Sequence, residues 1–110
     1  MSRSPHKIAL ITAPGSIAEE LAREIIEARM AACVQVFPGG RSFFRWDGDV
    51  QSETESLLIC KTAEHRIDDI SRLLTLRHPY EVPEFLVVPV ESGLPSYLSW
   101  MLQETGGNPF

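Results

Sequence analysis

"CVQVFPGGRSFFRWDGDVQSETESLLICKT", residues 33–62, decides the fold. It is one long extended region, Cys33 to Thr62, broken in two places. Asp47-Gly48-Asp49 has the chemistry of a turn that joins antiparallel strands. Pro38-Gly39-Gly40, without an N–H at the proline or a side chain at either glycine, predicts a bulge or bend inside a strand. The product is a long bent hairpin. Upstream, "KIALIT" at residues 7–12 reads as a short buried strand stopped by Pro14 and Gly15. Ser16 stands three residues before Glu19, the spacing of a capping box. Ile17, Leu21 and Ile25 then recur every four residues, which predicts an amphipathic helix to about Met30. Downstream, Ile67, Ile70 and Leu74 form a helical stripe within Glu64 to Leu76, and Pro79 stops it. "FLVVPV" at residues 85–90 is a last strand whose Pro89 marks an edge or an end. Ser96 to Gln103 predicts a short closing helix, and residues 1–6 and 104–110 are expected to fray. The order strand, helix, strand, strand, helix, strand predicts an α+β ferredoxin-like sandwich, with both helices on one face of the sheet.

A chain of 110 residues forms a single domain, 1–110, because two cores of half that size would each bury too little apolar surface. Hydrophobic residues at 44% and charged residues at 23% are ordinary globular usage, with no run long enough to span a membrane. A net charge of −5 argues against nucleic acid as a partner, since phosphate binding draws on clustered Lys and Arg. Met1 to Lys7 lacks the apolar core of a secretion signal, and Cys33 and Cys60 read as buried reduced thiols. These features predict a cytoplasmic protein.

The strands carry apolar side chains on both faces: Ile8 and Leu10 alternate with Ala9 and Ile11, and Leu57 and Ile59 with Leu58 and Cys60. Two helices cover only one face. Leaving half a dozen such side chains wet forfeits roughly 1.5–3 kcal/mol each. That is comparable to the whole stability of a domain, about 5–15 kcal/mol. Other copies of the same chain are the economical cover.

Glu53, Glu55 and Lys61 share one parity along the second hairpin arm, so they are either an intersubunit pocket or a structural ion-pair cluster. Of the widely separated His6, His65 and His78, the last is the best metal candidate, because Pro79 fixes the backbone beside it and Tyr80 and Glu84 lie close. No glycine-rich phosphate loop, GxSxG elbow or other catalytic signature occurs, and the chain is read as a binding protein, not an enzyme.

Several stretches together resemble the CutA-like divalent-cation tolerance proteins: "TAP" at 12–14, "AACV" at 31–34, Trp46 with Gly48, Glu53 with Glu55, "KT" at 61–62, "HPY" at 78–80, "PE" at 83–84 and "YLSW" at 97–100. The resemblance implies a homotrimer packed sheet against sheet with interlocked hairpins, and a link to copper, zinc or another divalent metal ion. Its expected intersubunit cleft draws on Trp46, Glu53, Glu55, Lys61, Tyr80, Glu84, Tyr97 and Trp100. Some relatives carry a cysteine before "TAP" and a histidine pair before "PY". Here those positions hold Ile11 and Arg77-His78, so only His78 carries over and the implied metal site is weak. The competing expectation is a trimeric signalling module like the PII proteins, binding a small effector between subunits. A third is a structural trimer that presents a surface to other proteins.

Overall fold

The computed structural model describes residues 4–107. Strand β1 (His6–Ala13) leads into helix α1 (Gly15–Glu27), then strands β2 (Cys33–Trp46) and β3 (Asp49–Ala63). After a short 3-10 turn at Glu64–Arg66 come helix α2 (Ile67–Arg77), strand β4 (Phe85–Pro89) and helix α3 (Pro95–Glu104). The sheet order is β2-β3-β1-β4 with antiparallel pairing throughout. This is the ferredoxin-like α+β arrangement that the order of elements predicts. Pro89 lies on an edge strand, where its missing N–H breaks no ladder.

The hairpin turns where the sequence says it should. Asp47 and Gly48 both take positive φ, 51° and 82°, as the mirror-image turn of a two-residue hairpin requires. The register slips between Phe37 and Gly40, so Pro38 and Gly39 are the bulge, with Gly39 at φ 79°. That slip has a consequence for side chains. Before it, Cys33, Gln35 and Phe37 face the same way as Lys61, Ile59 and Leu57. After it, the even residues Ser42, Phe44 and Trp46 share that face with Glu53, Gln51 and Asp49.

On the other face lies the core. Ala9, Ile11 and Ala13 of β1 and Leu58 and Cys60 of β3 pack against Ala18, Leu21, Ala22 and Ile25 of α1 and Ile70, Leu73 and Leu74 of α2. Both helices therefore cover the same side, as the crossover rule demands. Helix α3 goes to the opposite side, at one end. The His6 ring, on the second face, takes a 3.0 Å hydrogen bond to the Leu98 carbonyl, and Met101 is buried outside the main core. The rest of the second face is open in the single subunit: Leu86 is 57% and Phe37 48% exposed, and Leu10, Leu57 and Ile59 are only partly covered.

Four expectations need correction. Ser16 forms no capping box, because the helix starts earlier: the Ile17 N–H donates to the Pro14 carbonyl at 3.0 Å, and Ser16 lies inside the first turn. Helix α1 ends at Glu27 and not near Met30, since Arg29 adopts φ 59°. The N–H groups of Arg29 and Met30 return to the carbonyls of Ile26 and Ile25 at 3.0 and 2.9 Å, which is a Schellman closure. The ordered chain also reaches further than the frayed ends expected over 1–6 and 104–110. His6 opens β1, and Thr105 is fully buried, its carbonyl accepting from His65 and Arg66. Residues 1–3 and 108–110 lie outside the described residues. Finally, Cys33 is half-buried on the second face, whereas Cys60 is buried in the core. Burial pushes the Cys60 thiol up to about 12, helped by the neighbouring Cys33 and opposed by Lys61, so it is unreactive.

Arg29 supplies a stability test. A side chain in the left-handed region costs about 1 kcal/mol that glycine avoids. Arg29→Gly gives up only an exposed contact of the guanidinium with Glu104, so it is expected to stabilise the fold by somewhat less than that amount in urea denaturation, and an unchanged or lower midpoint would contradict it.

Candidate functional site

Behind Trp46, the second face of the hairpin meets the connector between α2 and β4. Pro79 makes that connector stiff, and His78 fastens it. The imidazole is buried, its Nε2 lies 2.7 Å from the Thr12 carbonyl, and its Nδ1 accepts the Tyr80 N–H at 3.2 Å. Pairing between β1 and β4 ends at Ile11–Phe85, so His78 serves the next carbonyl of β1, where the ladder has stopped. With Nδ1 accepting from Tyr80, Nε2 is the nitrogen that donates to the Thr12 carbonyl. The Tyr80 ring then meets the His78 ring edge-on at 4.7 Å.

Between connector and hairpin lies a cleft of about 670 Å³. Phe44, Trp46 and Tyr80 supply aromatic walls, while Glu53, Glu55, Glu81 and Glu84 supply carboxylates. Glu55 sits at its base. Only 7% of it is exposed, and its Oε2 is buried without a hydrogen-bond partner. An unpaired buried carboxylate oxygen is costly in a folded protein and marks a place where a donor is missing. Its field reaches the neighbours. Burial, then a hydrogen bond to the Glu55 carboxylate and its charge, holds the Tyr80 phenol above its usual range, so Tyr80 serves one side of that carboxylate while Oε2 stays unpaired. Burial, then the Glu55 charge, raises the Glu84 carboxyl.

The predicted site residues thus divide into two groups. Trp46, Glu53, Glu55, Tyr80 and Glu84 line one cleft. Lys61, Tyr97 and Trp100 do not. Lys61 shares the face of Glu55 but lies six residues along the strand, roughly 20 Å away, where it donates to Gln35. Tyr97 and Trp100 on α3 meet at a 45° tilt with ring centres 5.3 Å apart, and Tyr97 stands beside Cys33. Lys61 is therefore no counter-ion to Glu53 or Glu55, and the sequence-based ion-pair cluster does not form within the subunit. Sequence reasoning did not name Phe44 or Glu81 for the cleft. The signal for Phe44 was its spacing of two from Trp46, which puts both side chains on one face of β2.

Could these residues hold copper? His78 has both ring nitrogens engaged inside the chain, and Ile11 and Arg77 offer no ligand. Among the described residues, no group of three or more His, Cys, Asp or Glu is placed to hold a metal ion. The donor set does not fit a resident copper or zinc site. Among the described residues, no helix is long and apolar enough to cross a membrane.

Comparison with known proteins gives a consistent picture. The family model described as CutA1 divalent ion tolerance protein matches residues 7–104. The "Divalent-cation tolerance protein CutA" of Thermus thermophilus is 38% identical over 101 residues, covering 91% of this chain and 98% of that one. The solved divalent cation tolerance protein from Thermus thermophilus superposes with a TM-score of 0.89 at 37% identity, covering 92% of this chain and 99% of the other. "Protein CutA, chloroplastic" of Arabidopsis thaliana is 35% identical over 92% of this chain, which spans only 56% of its length. A structure titled PII-like protein CutA, from Nostoc sp., superposes with a TM-score of 0.85 at 36% identity, covering 90% of this chain and 96% of that one.

Proposed function

Because this chain belongs to the CutA1 divalent ion tolerance family, we propose that it works as a homotrimeric small-ligand-binding module. The second sheet face is closed by other copies, and the cleft at Glu55 is the ligand site. One contrast carries this reading: the His78 nitrogens are both engaged, while the buried Glu55 Oε2 in an open cleft is not. The PII-like description of the Nostoc relative supports it. So does the exposure of Leu86, Phe37 and Val88 in the lone subunit, an apolar surface that sheet-to-sheet packing would cover. Cys33 and Cys60 point to opposite faces and form no disulfide, which suits the reducing cytoplasm, where we place the protein.

Relatives named for divalent-cation tolerance favour a second reading, a weak copper or zinc site at His78. A thermal-shift panel separates the two. We expect small organic ions to raise the melting temperature saturably, with copper(II) and zinc(II) giving no shift that depends on His78. A metal-induced shift that disappears in His78→Gln would overturn the cleft reading in favour of the metal.

A further inference from the structure

Four carboxylates and four aromatic residues, Phe43 with Phe44, Trp46 and Tyr80, line the Glu55 cleft, yet no three of the acids are placed to share one metal ion. Their charges are spread along the walls. A bare ion could meet only a fraction of them, whereas an elongated molecule can meet several. The lining also includes Arg45, whose guanidinium donates to the Gly48 carbonyl at 3.2 Å and, among the described residues, forms no ion pair with these acids. Glu55 lies where this cleft adjoins a second groove beside α1. Along β3 it shares the face of Glu53 and Leu57, the side of the aromatic cleft.

Resting on the reading of this cleft as the ligand site, we propose that its ligand is an organic cation, an alkylammonium or guanidinium head on an extended apolar body. The head donates to the orphaned Oε2 of Glu55, and the body lies against Phe44, Trp46 and Tyr80. Two physical reasons select this class. A carboxylate with one buried unpaired oxygen accepts a charge-assisted N–H donor better than any neutral group. Aromatic faces attract cations and cover apolar stems, and they give nothing to a hydrated divalent ion that must keep its oxygen shell. Nucleotides and organic acids, by contrast, would meet four like charges. The same cationic head could belong to a free molecule or to a Lys or Arg of another copy. Titration with free probes and sedimentation of Glu55→Gln distinguish the two sources.

Isothermal titration of the assembled full chain at low salt, with agmatine, spermidine and choline as probes and MgCl2 as the inorganic control, decides the matter. At least one organic probe is expected to bind saturably, with MgCl2 unable to replace it. Glu55→Gln should weaken that binding about 30-fold or more, the penalty of removing one partner of a buried charge pair. Trp46→Leu should weaken it about fivefold, as expected for a lost cation–π wall. Sedimentation of each variant at wild-type mass shows that the fold and assembly persist. Silence from all three organic probes in an intact assembly overturns the proposal. A mass drop in Glu55→Gln would then identify a basic side chain of another copy as the partner. Competition by MgCl2 at equal concentration overturns it in favour of an inorganic ion. A wild-type chain that sediments as a monomer but binds the probes would sink the trimer and leave this inference standing.

Discussion

Ile59→Glu is expected to break the assembly into single chains at micromolar concentration. Ile59 lies on the second face between Leu10 and Gln35, partly covered by its own subunit and, on this account, fully covered by a neighbouring copy. A glutamate there keeps its water in the free subunit and loses it in the assembly. The effective penalty for burying one unpaired ion is several kcal/mol, and a symmetric assembly incurs it once per subunit. The core side is untouched, because Leu58 and Cys60, the residues on either side, point to α1 and α2. The released chain should keep its helical circular dichroism in the cold but melt far below the wild type, since Leu10, Leu57, Leu86 and Val88 are then wet. Size-exclusion chromatography with light scattering reads the mass directly. An Ile59→Glu protein with wild-type mass would show that this face is not the contact.

His78→Ala should weaken the fold itself by about 2–3 kcal/mol. The change deletes a buried ring, leaves the Thr12 carbonyl without its 2.7 Å donor and leaves the Tyr80 N–H without its acceptor. The melting temperature should fall by roughly 10 °C or more, measured without any added metal. A His78 that acted as a metal ligand predicts the opposite pattern: a metal-free variant as stable as the wild type and a lost response to copper. His78→Gln, which retains a donor on a shorter arm, should recover part of the stability. Differential scanning fluorimetry of the three proteins in a chelator distinguishes these outcomes.

Much of the architecture was legible because its signals are local. Pro14, Asp47-Gly48 and Pro79 stop elements by restricting their own or neighbouring backbone dihedrals, and the spacing of Leu21 and Ile25 or Ile70 and Leu74 declares a helix without reference to distant residues. The two-sided greasiness of β1 and β3 likewise followed from alternation alone. What failed depended on geometry that a string does not carry. Ser16 and Glu19 had capping spacing, but the Pro14 carbonyl opened the helix first. Arg29 took a left-handed conformation that its side chain gives no reason to expect. Lys61 shared parity with Glu55 and was grouped with it, although six residues of strand keep the two charges apart. His78 was singled out for its proximity to Tyr80 and Glu84, whereas the carbonyl that its ring meets, Thr12, is 66 residues away in sequence.

The cleft joins these observations into one account. Pro79 and His78 aim the connector, the Pro38-Gly39 bulge aims Phe44 and Trp46, and the two together enclose Glu55 with an oxygen that nothing in the subunit satisfies. An apolar sheet face beside it asks for cover in the same way that the carboxylate asks for a donor. The most direct test of the central claim is sedimentation equilibrium of the wild-type chain at micromolar concentration. The account predicts a single species of three times the 12.3 kDa chain mass; a stably folded species at 12.3 kDa would contradict it.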